Sequence, residues 1–192
     1  MTNKKQQTQK LVLGAIMTGL VIILQLIGSF TTFFGPFSTA VALIPIVLGA
    51  AMCGTAVGAW LGFVFGMVVI LSGGAALFFA FDVPGTIITV LFKGTLCGLA
   101  AGIVYNLLSK FNKYLAVLAA AIVCPLVNTG IFLLGCYIFF LDSAKEIAST
   151  LGLTVSGMAV FLALAMGNFA LGIVSNAVLS PVIVRVLNFK NK

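Results

Sequence analysis

The chain has 192 residues, of which 62% are hydrophobic and only 7% charged, where an ordinary soluble domain carries about a quarter charged residues. A water-soluble fold of this length could not hide so much apolar surface. The net charge of +7 does not describe a nucleic-acid-binding patch either, because the ten basic residues sit at the chain ends and between apolar runs, where positive charge sets membrane orientation. With about 20 apolar residues needed per crossing, the expectation is an all-α integral membrane protein: one compact bundle of six transmembrane helices, a single domain over 1–192.

Residues 1–10 are polar, carry Lys4, Lys5 and Lys10, and read as a cytoplasmic segment. The apolar run 11–28 is long for the core of a signal sequence and is followed by no small-residue cleavage site, so it reads as a retained first span. In it, Ala15 and Gly19 form a small-x-x-x-small pair, a surface on which another helix can dock. The connection 28–37 (GSFTTFFGPF) is punctuated by Gly35 and Pro36. Its Phe30, Phe33, Phe34 and Phe37 suit either a membrane interface or a lid over a pocket. The second span, 38–52, is short for a full crossing. A tight turn at Cys53 and Gly54 leads to the third, 55–72.

Gly54, Gly58, Gly62 and Gly66 recur every four residues along the third span, and Gly94, Gly98 and Gly102 repeat the pattern on the fourth. Such stripes let helix backbones approach closely, which is how helices pack where lipid removes the hydrophobic drive. Between them, 73–85 carries Phe78, Phe79 and Phe81 and ends in Asp82-Val83-Pro84-Gly85, where the proline disfavours one continuous helix. The fourth span is 86–108, the basic loop 109–113, the fifth span 114–141, the polar connection 142–152, the sixth span 156–187 and the tail 188–192. With both termini cytoplasmic, Lys110, Lys113, Arg185, Lys190 and Lys192 fall inside, and Asp82, Asp142 and Glu146 fall outside, with Lys145 the only basic residue of the outer loops.

Polar residues within spans are costly in lipid and are functional candidates. Lys93 is the only formal charge deep in an apolar run. It reads either as a structural cation, paired with Asp82 or snorkelling to the interface, or as a cation that meets an anionic substrate group. Asn128 and Thr129 lie mid-way along the fifth span and Asn168 in the sixth, and amides serve a polar ligand or a neighbouring helix equally well. Cys53, Cys97, Cys124 and Cys136 all fall within apolar runs and read as packing residues. Three acidic residues, no histidine and no phosphate loop leave no metal site, no catalytic residues and no means of using ATP.

The small, basic-ended, six-span plan resembles the substrate-binding S component of energy-coupling factor transporters. The likeness rests on the small residues of the first span, the Lys-Gly-x-x-x-Gly-x-x-x-Gly segment of 93–102, the Asn-Thr-Gly-Ile-Phe stretch of 128–132 and the Asn168 and Asn176 helix. It implies a protein that is not an enzyme, binds a water-soluble vitamin without a cofactor, and associates with a transmembrane coupling protein and two cytoplasmic ATPase subunits in the bilayer. It implies further that Ala15 and Gly19 face the coupling protein, Gly19 standing where the family has a second alanine. On the same likeness Lys93, Asn128, Thr129 and Asn168 lie near the vitamin, with Phe30, Phe33 and Phe34 above it. A lone cation suits the carboxylate of pantothenate; riboflavin is the nearest competitor, and pyridoxine stays open. A stand-alone secondary transporter and a structural membrane subunit without a ligand are the readings from other classes.

Overall fold

The computed structural model describes residues 2–31 and 41–141, together with 143, 146, 149, 159, 161, 162, 165, 166, 169, 170, 172 and 173. Its helices are α1 (Thr2–Thr31), α2 (Leu43–Cys53), α3 (Thr55–Leu71), α4 (Ala76–Phe79), α5 (Val83–Leu108) and α6 (Lys113–Phe139), with no strand among the described residues. The first, third, fourth and fifth expected spans are α1, α3, α5 and α6. The sixth, 156–187, falls mostly outside the described residues, but Phe161 and Ala165 are buried and a side chain at Gly172 would come within 3.0 Å of Pro125 of α6.

Among the described residues, three helices are long and apolar enough to cross a membrane: α1 over Gln7–Ser29, α5 and α6. The polar start of α1 is helical too, because nothing between Thr2 and Leu13 breaks a helix, and adding turns to an existing helix avoids the cost of nucleation. α5 begins at Val83, earlier than 86, because Asp82 is extended and Pro84 sits in the first turn, where its missing N–H costs nothing. The side chain of Asn112 accepts from the N–H groups of Tyr114 and Leu115 and starts α6, which then runs on through Pro125.

The second expected span, 38–52, is α2, short as its sequence suggested, with 38–40 outside the described residues. α2 has 11 residues, or about 16 Å at 1.5 Å per residue, roughly half the hydrocarbon thickness. A stub of this kind is tolerated where protein rather than lipid surrounds it, and most of α2 is buried, Ile46, Val47 and Ala50 completely. Gly54, with φ of 105°, turns the chain from α2 into an antiparallel α3, a conformation that only glycine adopts without strain. α3 has 17 residues, about 25 Å.

α3 and α5 lie antiparallel with their backbones in contact. A side chain added at Gly62 would collide with the carbonyl of Gly94, and one at Gly94 with the carbonyl of Gly62. Gly58 and Gly98 stand in the same relation, and a Cβ at Gly66 would come 2.9 Å from the Val90 oxygen and one at Gly102 2.7 Å from the Thr55 Cα. The two glycine stripes therefore interlock residue for residue, as small-residue stripes do in lipid, and the approach is close enough for Cα–H groups to face carbonyls. α2 docks against this pair: Ala50 lies against Gly58 and Ile46 against Gly98, so α2 runs parallel to α5.

Gly62→Ala is expected to destabilise the purified protein by about 1–3 kcal/mol, since the neighbouring carbonyl is backbone and cannot move aside cheaply. Gly130, whose added methyl would meet nothing within 4 Å, is the control: alanine there is expected to be neutral or to stabilise by up to about 1 kcal/mol through helix propensity. Thermal unfolding of both variants in detergent checks the pair, and equal stabilities would deny the interlock.

Candidate functional site

The glycine stripe commits one face of α5 to α3, and Ile87, Ile88, Phe92, Leu96, Leu99 and Ile103 form an exposed face suited to lipid. Lys93 follows Phe92 and precedes Gly94, so at about 100° per residue it can face neither. It is turned instead toward α6 and is 8% exposed, with Nζ 5.0 Å from the centre of the Phe132 ring. No ion pair involves Lys93 among the described residues, so the Asp82 pairing open at the level of sequence is not made. The aromatic face offers part of what a carboxylate would supply.

The helices α5 and α6 pass in antiparallel register around this point. A side chain at Gly135 would collide with Thr89, Lys93 faces Phe132, and Cys97, which donates to the Gly94 carbonyl at 3.1 Å, lies beside Cys124. Asn128 lies four residues from both Phe132 and Cys124, on the same face of α6 and within the levels of Lys93 and Cys97. It is 5% exposed, and its Oδ1 has no partner. Thr129 is half-buried and is turned about 100° around the helix from Asn128. Lys93 and Asn128, both expected from sequence to lie deep in their spans, are buried. Phe30 falls in the last turn of α1, while Phe33, Phe34 and Asn168 lie outside the described residues.

Above Phe132 sits the connection from α3 to α5. α4 places Phe78 edge-on to Phe132, ring centres 5.5 Å apart, and 5.2 Å from Phe140, which packs with Cys136 and Phe161 in a small apolar cluster. Phe78 is therefore packed into the bundle and not spread along a membrane interface.

Two polar residues were not singled out from sequence. Gln25 is completely buried on the inward face of α1, its Nε2 3.3 Å from Ser29 Oγ, which is in turn 2.7 Å from Ser72 Oγ of the residue capping α3. Thr89 is 4% exposed. Together with Asn128 Oδ1, the Gln25 Oε1 and Thr89 Oγ1 atoms are the buried side-chain oxygens without a partner among the described residues. The available signal was position: Gln25 continues the inward Gly14, Met17 and Val21 series, and Thr89 lies one turn from Lys93. No group of three or more His, Cys, Asp or Glu side chains able to hold a metal occurs among the described residues.

On the opposite side of α1, Ala15 is exposed and a side chain at Gly19 would meet nothing within 4 Å, so this pair packs against no other described part of the chain. Among known protein families, the model for "ECF transporter, substrate-specific component" matches residues 9–184. No curated protein and no solved structure matches the chain.

Removing a buried cation that has no acidic partner relieves a desolvation cost. Lys93→Met is therefore expected to leave the ligand-free Tm unchanged or raise it by a few degrees. Thermal unfolding in the absence of any vitamin checks this, and a large fall would mean that the ammonium is a structural element.

Proposed function

Because the chain belongs to the substrate-specific components of energy-coupling factor (ECF) transporters, which are transporter subunits and not enzymes, we propose that it captures pantothenate for import. The observation that carries this reading is Lys93: a deeply buried cation with no carboxylate partner among the described residues, set where two helices leave an amide oxygen also unpaired among them. Burying a charge without a partner is unfavourable in a protein and more so in a membrane. The cost becomes intelligible if a ligand carboxylate completes the pair when it binds, with a charge-assisted hydrogen bond. Asn128 then accepts from a hydroxyl or amide N–H of the same ligand, and Thr129 and Asn168 extend the site. Phe30, Phe33 and Phe34 close over it.

In this reading the six-helix bundle has both termini in the cytoplasm, and the end bearing Phe78 and Asp82 faces outside. The open Ala15 and Gly19 surface of α1 receives the transmembrane coupling protein, through which two cytoplasmic ATPase subunits supply the energy the chain itself has no residues to extract. Riboflavin is the second reading, favoured by the Phe78 and Phe132 rings beside Lys93, which suit a flat conjugated ligand.

Thermal unfolding of the purified protein against a panel of water-soluble vitamins tests the assignment, since a ligand at about 100 times its Kd stabilises by about 2.7 kcal/mol. The expected result is a shift with pantothenate alone, absent in Lys93→Met. A shift with riboflavin that survives Lys93→Met would transfer the assignment to the second reading. Gly19→Trp fills open space on α1, so it is expected to retain vitamin binding while failing to co-purify with the coupling protein and ATPases. Co-purification at the wild-type level would place that docking surface elsewhere.

A further inference from the structure

Four helical threonines of the chain are satisfied by their own helix, and Thr89 is not. Thr8, Thr18, Thr86 and Thr95 each turn the side-chain hydroxyl back onto the carbonyl four residues earlier, the usual way such a group is satisfied within a helix. Thr89 is among the most deeply buried polar residues, yet its Oγ1 has no partner. Its own helix offers it the same arrangement that Thr86 uses three residues earlier, so the unpaired state reflects the rotamer and not a lack of backbone. α6 makes room for that rotamer, because any side chain at Gly135 would collide with both Oγ1 and Cγ2 of Thr89.

Thr89 also lies four residues before Lys93, so the two side chains share a face of α5 one turn apart, with Cβ atoms separated by about 5–6 Å. A hydroxyl and an ammonium at that spacing are two donors able to serve a single two-oxygen acceptor group. The ammonium supplies charge without direction, whereas a hydroxyl supplies direction without charge.

We propose that Thr89 is a specificity-determining residue of the vitamin site, donating its hydroxyl to the same carboxylate that Lys93 neutralises. The inference rests on the reading of Lys93 as the partner of an anionic vitamin. Its substrate class is a carboxylate, which presents two acceptor oxygens, in preference to an alcohol of the same shape, which presents one oxygen and no charge.

The test measures the affinity of the detergent-purified full-length chain for pantothenate and for pantothenol, in which the carboxylate is replaced by a hydroxymethyl group. Thr89→Val keeps the β-branched shape that packs on Gly135 and removes only the hydroxyl, and Thr89→Ser keeps the hydroxyl. The expected result is a pantothenate Kd raised about tenfold or more by Thr89→Val, as for loss of a hydrogen bond to a charged group. Thr89→Ser restores most of that affinity, and selectivity for pantothenate over pantothenol narrows in the valine variant. The ligand-free Tm of Thr89→Val is expected to be equal to or above that of the wild type, because the hydroxyl it removes has no partner. Wild-type binding that is lost in Lys93→Met but unchanged in Thr89→Val overturns the role of Thr89 alone. Failure of the wild type to bind pantothenate overturns the proposed function and this inference with it. A lowered ligand-free Tm in Thr89→Val, with equal loss of both ligands, would make Thr89 a packing residue.

Discussion

Backbone contact between α3 and α5 is the constraint on which the rest of this structure depends. In water, two helices are held by the apolar surface they remove from solvent. In a bilayer that term vanishes, because lipid is as apolar as leucine, and what remains is close dispersion contact between surfaces that fit. Gly58, Gly62 and Gly66 meet Gly98, Gly94 and Val90 so closely that no methyl group could be inserted at the glycines. The helices cannot slide without bringing a side chain onto a backbone, so the contact sets register as well as distance.

Once that register is set, the other faces of α5 acquire fixed roles. Gly94 points at α3, Phe92 is exposed, and Lys93 between them is left to face α6. The same lock seats α2, whose Ala50 and Ile46 fill the shoulders of the glycine pair. α2, at about 16 Å, is roughly half the hydrocarbon thickness. The buried polar residues Thr89, Lys93 and Asn128 lie on α5 and α6, and α4 brings Phe78 edge-on to Phe132 beside Lys93.

Polar atoms inside the bundle divide into two kinds. Most are satisfied locally: threonine hydroxyls return to their own helices, and the Gln25, Ser29 and Ser72 group joins α1 to α3. Among the described residues Gln25 Oε1, Thr89 Oγ1 and Asn128 Oδ1 remain unpaired, the last two on the helices that meet at Lys93. Unpaired polar atoms weaken a resting fold and are retained where a ligand completes them. Stability and recognition therefore occupy different faces of the same helix, the glycines carrying the first and the polar residues the second.

Membrane residence, the helical class, the approximate limits of α1, α3, α5 and α6 and the packing role of the glycine stripes were legible in the sequence. Each depends only on local composition and a helical period, quantities that neighbouring residues carry between them. Lys93 and Asn128 were legible for the same reason, as polar residues in apolar runs. That α2 is short was legible as well, but its burial in protein was not, because a continuous apolar run reads alike whether lipid or protein surrounds it, and only the contacts of Ala50 and Ile46 decide. Nor could sequence distinguish Thr89 from Thr86 or Thr95, since all three sit in one helix amid similar neighbours. What separates them is the rotamer that Gly135 admits from 46 positions away in the chain, and a choice of that kind belongs to tertiary structure because it is made by whichever backbone arrives opposite.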